Sequence, residues 1–104
     1  MKRRLVWLSI FFSAAAAQAQ AQTPEALYQR SMAASCAQCH GTDGRSAPGS
    51  AVPALAGMPR DQLATQLKAF KTGSRPSTVM GQLAKGFSDA QLEQLADYFS
   101  RQLQ

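Results

Sequence analysis

Hydrophobic residues recur at helical spacing in two stretches of the chain. Leu63, Leu67 and Phe70 stand at i, i+4 and i+7, and Leu92, Leu95, Phe99 and Leu103 repeat such a stripe further on. Both are the pattern of a helix with one apolar face. The first predicts a helix from Pro59 to Lys71, stopped by Gly73 and Pro76. The second predicts a helix opened by Ser88, where Gln91 three places on completes a capping box. An earlier helix is predicted from Pro24 to about Ala34, with Thr23 as its cap and Pro24 in its first position. Residues 41–59, rich in Gly, Pro, Ala and Ser, and residues 74–87 read as loops. No segment alternates with a period of two, so the expected fold class is all-α.

The N-terminus follows another pattern. Lys2, Arg3 and Arg4 precede an apolar run, Leu5–Ala17, and then a small-residue stretch that includes Ala19-Gln20-Ala21. This is the layout of a secretory signal peptide. The run is shorter than the ~20 residues a spanning helix needs. Residues 1–21 are therefore expected to be cleaved, leaving one domain at 22–104, exported to the periplasm and without a membrane span. A chain of 104 residues, 45% hydrophobic and 16% charged, fits one small domain and excludes a disordered one.

Cleavage changes the charge reading. The formal charge of +5 includes Lys2, Arg3 and Arg4, and without them it is +2, which removes the case for a nucleic-acid partner. Residues 45–87 are expected to form a basic surface that helps orient a partner. Asp89, Glu93 and Asp97, four apart, are expected on one solvated helix face. The aromatics left in the domain are Tyr28, Phe70, Phe87, Tyr98 and Phe99. So small a domain is marginal without a disulfide, metal or cofactor to complete its core.

The strongest chemistry lies in Cys36-Ala37-Gln38-Cys39-His40. Cys-x-x-Cys-His is the attachment sequence of a c-type haem. Two thiols three residues apart on a helical turn reach two neighbouring vinyl groups, and the next side chain turns an imidazole toward the iron. A structural zinc site wants four ligands, and the chain has only these three strong ones. A thioredoxin-like dithiol wants a βαβ setting, and a disulfide between cysteines so close closes almost no loop. The reading is one haem c, covalently held by Cys36 and Cys39, with His40 on the iron. For the other axial position the chain offers methionines. Met32 precedes the motif and reads as core, while Met58 and Met80 are the candidates, with an open iron as the third possibility.

These residues resemble the small class I c-type cytochromes of bacterial periplasms. The likeness spans nearly all of residues 24–104 and includes the haem motif, Pro53-Ala54-Leu55-Ala56-Gly57, an amphipathic helix, a loop methionine and a C-terminal helix with Leu95, Tyr98 and Phe99. A closer likeness, to the cytochrome subunit of flavocytochrome c sulfide dehydrogenase, rests on Arg75-Pro76-Ser77-Thr78-Val79-Met80-Gly81 and Ala84-Lys85-Gly86-Phe87-Ser88-Asp89. The resemblance implies a small cytochrome c fold of three to four short helices around the haem, with Met80 as sixth ligand. It also implies that the Pro53 carbonyl accepts the ring N–H of His40. Leu55, Leu67, Phe70, Leu83, Leu95 and Phe99 are expected in the haem wall or core. Tyr28 and Tyr98 are expected to join the first and last helices, and Arg75 to neutralise a propionate.

The function implied is single-electron transfer, with no catalytic residue in the chain. The partner implied is a flavoprotein sulfide dehydrogenase subunit, with this chain as its electron acceptor in a heterodimer. A free-standing, monomeric carrier is the alternative, and a haem-based sensor with an open sixth position is a third reading.

Overall fold

The computed structural model describes residues 22–104, so the expected signal peptide lies outside the described residues. Among these residues all the regular structure is helical, with no strand. Helix α1 (Pro24–Ala34) is followed by a short α2 (Ala37–His40) and a 3-10 turn at Thr42–Gly44. After a long irregular segment come α3 (Arg60–Thr72), α4 (Met80–Lys85) and α5 (Asp89–Ser100).

The three long helices begin where their caps place them. Thr23 Oγ1 accepts the Ala26 N–H at 3.1 Å, and Pro24 fills the first turn of α1. Ser88 Oγ accepts from Gln91 N at 3.1 Å while Gln91 Oε1 accepts from Ser88 N at 2.8 Å, which is the reciprocal box expected for α5. Gly73, at φ 82°, ends α3 in the left-handed conformation that glycine adopts without a Cβ penalty.

The 74–87 segment differs from expectation. Its second half is helical, and Met80 is the first residue of α4 rather than a residue in a loop. Ser77 Oγ accepts the Gly81 N–H at 2.7 Å, and the amides of Gln82 and Leu83 both turn back to Val79 O. This side-chain bond satisfies an amide of the first turn that has no partner within the helix.

The core lies among α1, α3 and α5. Leu63, Ala64 and Leu67 of α3 pack with Leu92, Leu95, Ala96 and Phe99 of α5, with Met32 and Ala33 of α1, and with Leu55 from the long loop. Leu83, expected in the wall or core, is 49% exposed, so it belongs to no protein core. Phe70 is half-buried and carries the Arg75 guanidinium 4.7 Å above its ring, a cation–π contact.

The acidic face of α5 is not simply solvated. Lys71 pairs with Asp89 at 2.8 Å, Arg60 with Glu93 at 2.8 Å, Lys68 also with Glu93, and Arg101 with Asp97 at 2.8 Å. Packing α3 against α5 places the basic residues of one opposite the acidic residues of the other. Three of the six cations expected in the 45–87 basic surface, Arg60, Lys68 and Lys71, are therefore paired by the helix beside it. The tyrosines divide their work. Tyr28 Oη accepts from Gln91 Nε2 at 2.7 Å and joins α1 to α5. Tyr98 instead donates to Asp43 Oδ1 at 2.6 Å, tying α5 to the turn after the cysteine motif.

The Tyr98 bond, aided by the Arg45 guanidinium, holds the Asp43 carboxyl below its ordinary value. A carboxylate with a depressed folded value stabilises the fold fully above its unfolded value, near 4. That contribution is lost as pH falls through the lower folded value. Tyr98→Phe should cost about 1 kcal/mol at neutral pH and lose most of that deficit in acid. Urea unfolding of both proteins at pH 7 and pH 3 measures this, and a deficit equal at both pH values would break the link to Asp43.

Candidate functional site

The Cys36–His40 segment is one helical turn. Cys36 caps α2, and its carbonyl accepts from the amides of Cys39 at 3.3 Å and His40 at 2.9 Å. The turn sets Cys36, Cys39 and His40 at i, i+3 and i+4, the spacing that shares a helix face. Both cysteines are free thiols. Cys39 is exposed, and Cys36 is half-buried against the core. Burial pushes the Cys36 thiol above its ordinary value, against the lowering effect of the Ser35 hydroxyl. Among the described residues no three His, Cys, Asp or Glu side chains converge to hold a bare metal ion.

His40 is buried, and its ring makes one hydrogen bond, Nδ1 to Pro53 O at 2.7 Å. A proline carbonyl can only accept, so Nδ1 carries the proton. In the neutral ring Nε2 then holds a lone pair, the form in which imidazole binds a metal. Nε2 has no protein partner among the described residues, nor is it a sealed, orphaned atom. This donor set suits a covalently attached haem: two free thiols on one turn, and an imidazole with its tautomer set by a carbonyl. Met58 and Met80 are both half-buried and pack against the core.

The return of the chain from residue 40 to residue 53 rests on glycines. Gly41, at φ 82° and ψ 162°, reverses direction directly after His40. Gly44 O accepts from the amides of Leu55 at 2.8 Å and Ala56 at 3.1 Å, pinning the far end of the loop beside the motif.

A residue that the sequence did not single out completes this arrangement. Ser46 Oγ donates to Val52 O at 2.9 Å and lies 3.3 Å from His40 O. It bridges the same two segments as the His40–Pro53 bond, one residue away on the far side. A serine in a Gly- and Pro-rich loop carries no sequence signal for such a role; only the fold brings residue 52 beside it. Ser46→Ala should weaken the seating of Pro53 by about 1 kcal/mol and speed proton exchange at His40 Nδ1 by roughly fivefold. Ser46→Thr should restore protection. Exchange measured by nitrogen-edited NMR decides, and an unchanged rate in Ser46→Ala would leave the bridge without influence on the ring.

A short chain whose described residues form helices and no strand, with this motif and this histidine–proline contact, defines a small c-type cytochrome of class I. The family model for cytochrome c oxidase, cbb3-type, subunit III matches residues 19–99, and the chain belongs to the cytochrome c family. It is a cytochrome c electron carrier. It is 36% identical over 106 residues to cytochrome c-553 of Nitratidesulfovibrio vulgaris (strain DSM 19637 / Miyazaki F), covering 97% of this chain and 99% of that protein. It is 48% identical over 65 residues to the cytochrome subunit of sulfide dehydrogenase of Chlorobaculum tepidum, covering 62% of this chain and 57% of that one. A thiosulfate dehydrogenase electron acceptor from Thiomonas intermedia is 43% identical over 94 residues, 90% of this chain and 40% of that protein. The chain thus spans about half the length, or less, of these last two relatives. Among the described residues no helix is long and apolar enough to cross a membrane.

Proposed function

We propose that this protein is a periplasmic monohaem electron carrier that accepts electrons from a flavoprotein sulfide dehydrogenase. In this reading residues 1–21 are its cleaved signal, Cys36 and Cys39 hold the haem through thioethers, and His40 and Met80 are the axial ligands. Haem c, when bound, cycles between ferric and ferrous iron and so carries one electron at a time. The observation that carries the reading is the 2.7 Å bond from His40 Nδ1 to Pro53 O. It orients the imidazole, raises the basicity of Nε2 and leaves that nitrogen free.

The other residues then have stated tasks. Met80, at the start of α4, offers a neutral thioether, which favours the reduced state and raises the potential. Leu83 stands three residues on, on the same side of α4, where an exposed leucine gains from being covered by an apolar ring. Iron held by both His40 and Met80 would have no place left for a substrate. Sulfide chemistry therefore belongs to the partner, whose likeness enters through the sulfide dehydrogenase relative. The near full-length match to cytochrome c-553 favours a second reading, a free-standing carrier of the same ligation.

The ligand assignment is tested by Met80→Ala and Met58→Ala. Ferric protein with sulfur on iron shows a weak long-wavelength charge-transfer band. Met80→Ala should abolish that band, lower the potential and allow rapid carbon monoxide binding to the reduced form, and Met58→Ala should change none of these. The reverse pattern transfers the role to Met58. Rapid carbon monoxide binding to the native protein would instead support a sensor. Elution with a flavoprotein on a sizing column supports the subunit, and elution alone supports the free carrier.

A further inference from the structure

The junction between the export signal and the domain carries a pattern that electron transfer does not use. Small-x-small triplets stand at Ala15-Ala16-Ala17, Ala17-Gln18-Ala19 and Ala19-Gln20-Ala21, and the residues that follow them are Gln18, Gln20 and Gln22. Signal cleavage falls directly after such a triplet. A cut at any of the three therefore leaves glutamine as the new first residue, and removal of residues 1–21 leaves Gln22.

The described residues begin at Gln22, which is exposed. Thr23 beside it is extended, with φ −63° and ψ 151°, and α1 starts at Pro24. The N-terminal end of a helix carries a partial positive charge, and an α-ammonium on Gln22 would stand just ahead of it. Gln22 also lines a cleft of about 380 Å³ with Arg30, Asp43, Tyr98 and Arg101. The carboxylate there is already engaged, because Asp43 accepts from Tyr98 and pairs with Arg45. Arg101 is paired with Asp97, and Arg30 adds another positive charge. Glu25, in the first turn of α1, complements the helix end itself. An ammonium on Gln22 thus adds to a positive helix end and meets no uncommitted carboxylate in the cleft.

We propose that the glutamine left first by cleavage, Gln22 when residues 1–21 are removed, closes into pyroglutamate and so takes that charge away from α1. The neutral α-amine attacks the side-chain carbonyl carbon Cδ. The N–Cδ bond forms, the Cδ–Nε2 bond breaks, and Nε2 leaves as ammonia with the proton the amine gives up. Nothing is oxidised or reduced, and no co-reactant is consumed. The new ring holds N, Cα, Cβ, Cγ and Cδ and is unstrained. Its lactam nitrogen does not titrate, so the terminal charge is gone, and peptidases that grip a free terminal amine lose their hold. The inference rests on the export part of the reading above and not on the haem ligands.

The test is mass spectrometry and Edman degradation of the exported, haem-loaded protein. The N-terminal peptide should begin at Gln22 and weigh about 17 Da, the mass of ammonia, less than its open form. Edman degradation of the intact protein should release nothing until pyroglutamate aminopeptidase has been applied. Gln22→Asn keeps the amide but lacks one methylene, so closure would need a strained four-membered ring. That variant should show its full open mass and degrade normally. Its charged terminus should also speed exchange of the Ala26 amide, the one that bonds Thr23 Oγ1, by roughly twofold to fivefold over the wild type. A free α-amine on Gln22, or an N-terminal alanine from a cut elsewhere, would overturn the proposal and leave export intact. Retention of Met1 would overturn the export reading and the proposal together. A closed ring at Gln18 or Gln20 would support the closure and overturn its role at α1, as would equal Ala26 exchange in the two proteins. The absorption spectrum of the same samples reports the haem and its ligands separately.

Discussion

Protein carrying Cys36→Ala and Cys39→Ala, exported and purified, should be colourless and should lack a cooperative thermal transition. The reason is the thinness of the core. Among the described residues twelve apolar ones are buried, and five of these are alanines: Ala33, Ala56, Ala64, Ala84 and Ala96. The large ones form a single layer between α3 and α5, with α1 across one end. Folding must also order the long stretch between Gly41 and Pro59, and outside its own turns only scattered bonds tie it to the rest of the domain: His40 to Pro53 O, Ser46 to His40 O, Tyr98 to Asp43, Arg45 to Leu103 O and Gly57 to Phe99 O at 2.9 Å. Each ordered residue costs about 1–2 kcal/mol of backbone entropy, and so few contacts do not offset that cost over such a length. In the proposed reading, a haem held by Cys36, Cys39, His40 and Met80 would supply the missing apolar surface beside that stretch. Small domains commonly draw their last few kcal/mol from such a group. Far-ultraviolet circular dichroism against temperature is the measurement. A sigmoidal transition in the haem-free variant, with near-native helix content below it, would show that the polypeptide core suffices. The paired Cys36→Ser/Cys39→Ser variant guards against a cavity effect at Cys36, since it preserves side-chain volume and should fail in the same way.

The parts of this architecture legible in the sequence are those written in local chemistry. Thr23-Pro24, the Ser88/Gln91 box and Gly73 each act within four residues of themselves, so the three long helices could be placed from local sequence order alone. The cysteine–histidine motif is local in the same sense, because one turn of helix spaces its side chains. What could not be read depends on which segments the fold brings together. The start of α4 was hidden because its cap position, Val79, carries no capping side chain, and the Ser77 hydroxyl that accepts the Gly81 amide stands four residues ahead of it. Asp89 and Glu93 read as solvated because their cations lie on α3, eighteen and twenty-five residues away at Lys71 and Lys68. Tyr98 could be placed on the correct helix but not with its partner. Asp43 faces it only because the residue adopts φ 53°, a left-handed conformation that aspartate tolerates better than most side chains. The Ser46 bridge belongs to the same group: it follows from the path of a loop, and loop paths are set by tertiary contacts rather than by propensity.

Gly41→Ala should be the most damaging single substitution outside the cysteine–histidine motif. Gly41 stands at φ 82°, ψ 162°, a region open almost only to glycine, where other residues store about 1–3 kcal/mol of strain. Space makes the position stricter still. A Cβ there would lie 1.9 Å from the Arg45 carbonyl oxygen and 2.5 Å from its carbon, and both are backbone atoms that cannot swing aside. The chain would have to open between residues 41 and 45, pulling Gly44 from Leu55 and Ala56, and with them the segment that presents Pro53 to His40. The expected loss is therefore more than about 3 kcal/mol, a large share of the stability of so small a domain. Covalent holoprotein should be recovered in much lower yield, and what is recovered should melt far below the wild type. Gly49 is the control that separates strain from clash. It has φ 79°, yet nothing lies within 4 Å of an added Cβ, so Gly49→Ala should cost only the about 1–2 kcal/mol of a left-handed backbone. Matching melting temperatures for the two variants would mean that residues 41–45 give way easily, and that the tight return of the chain onto the haem motif does not hold His40 against Pro53.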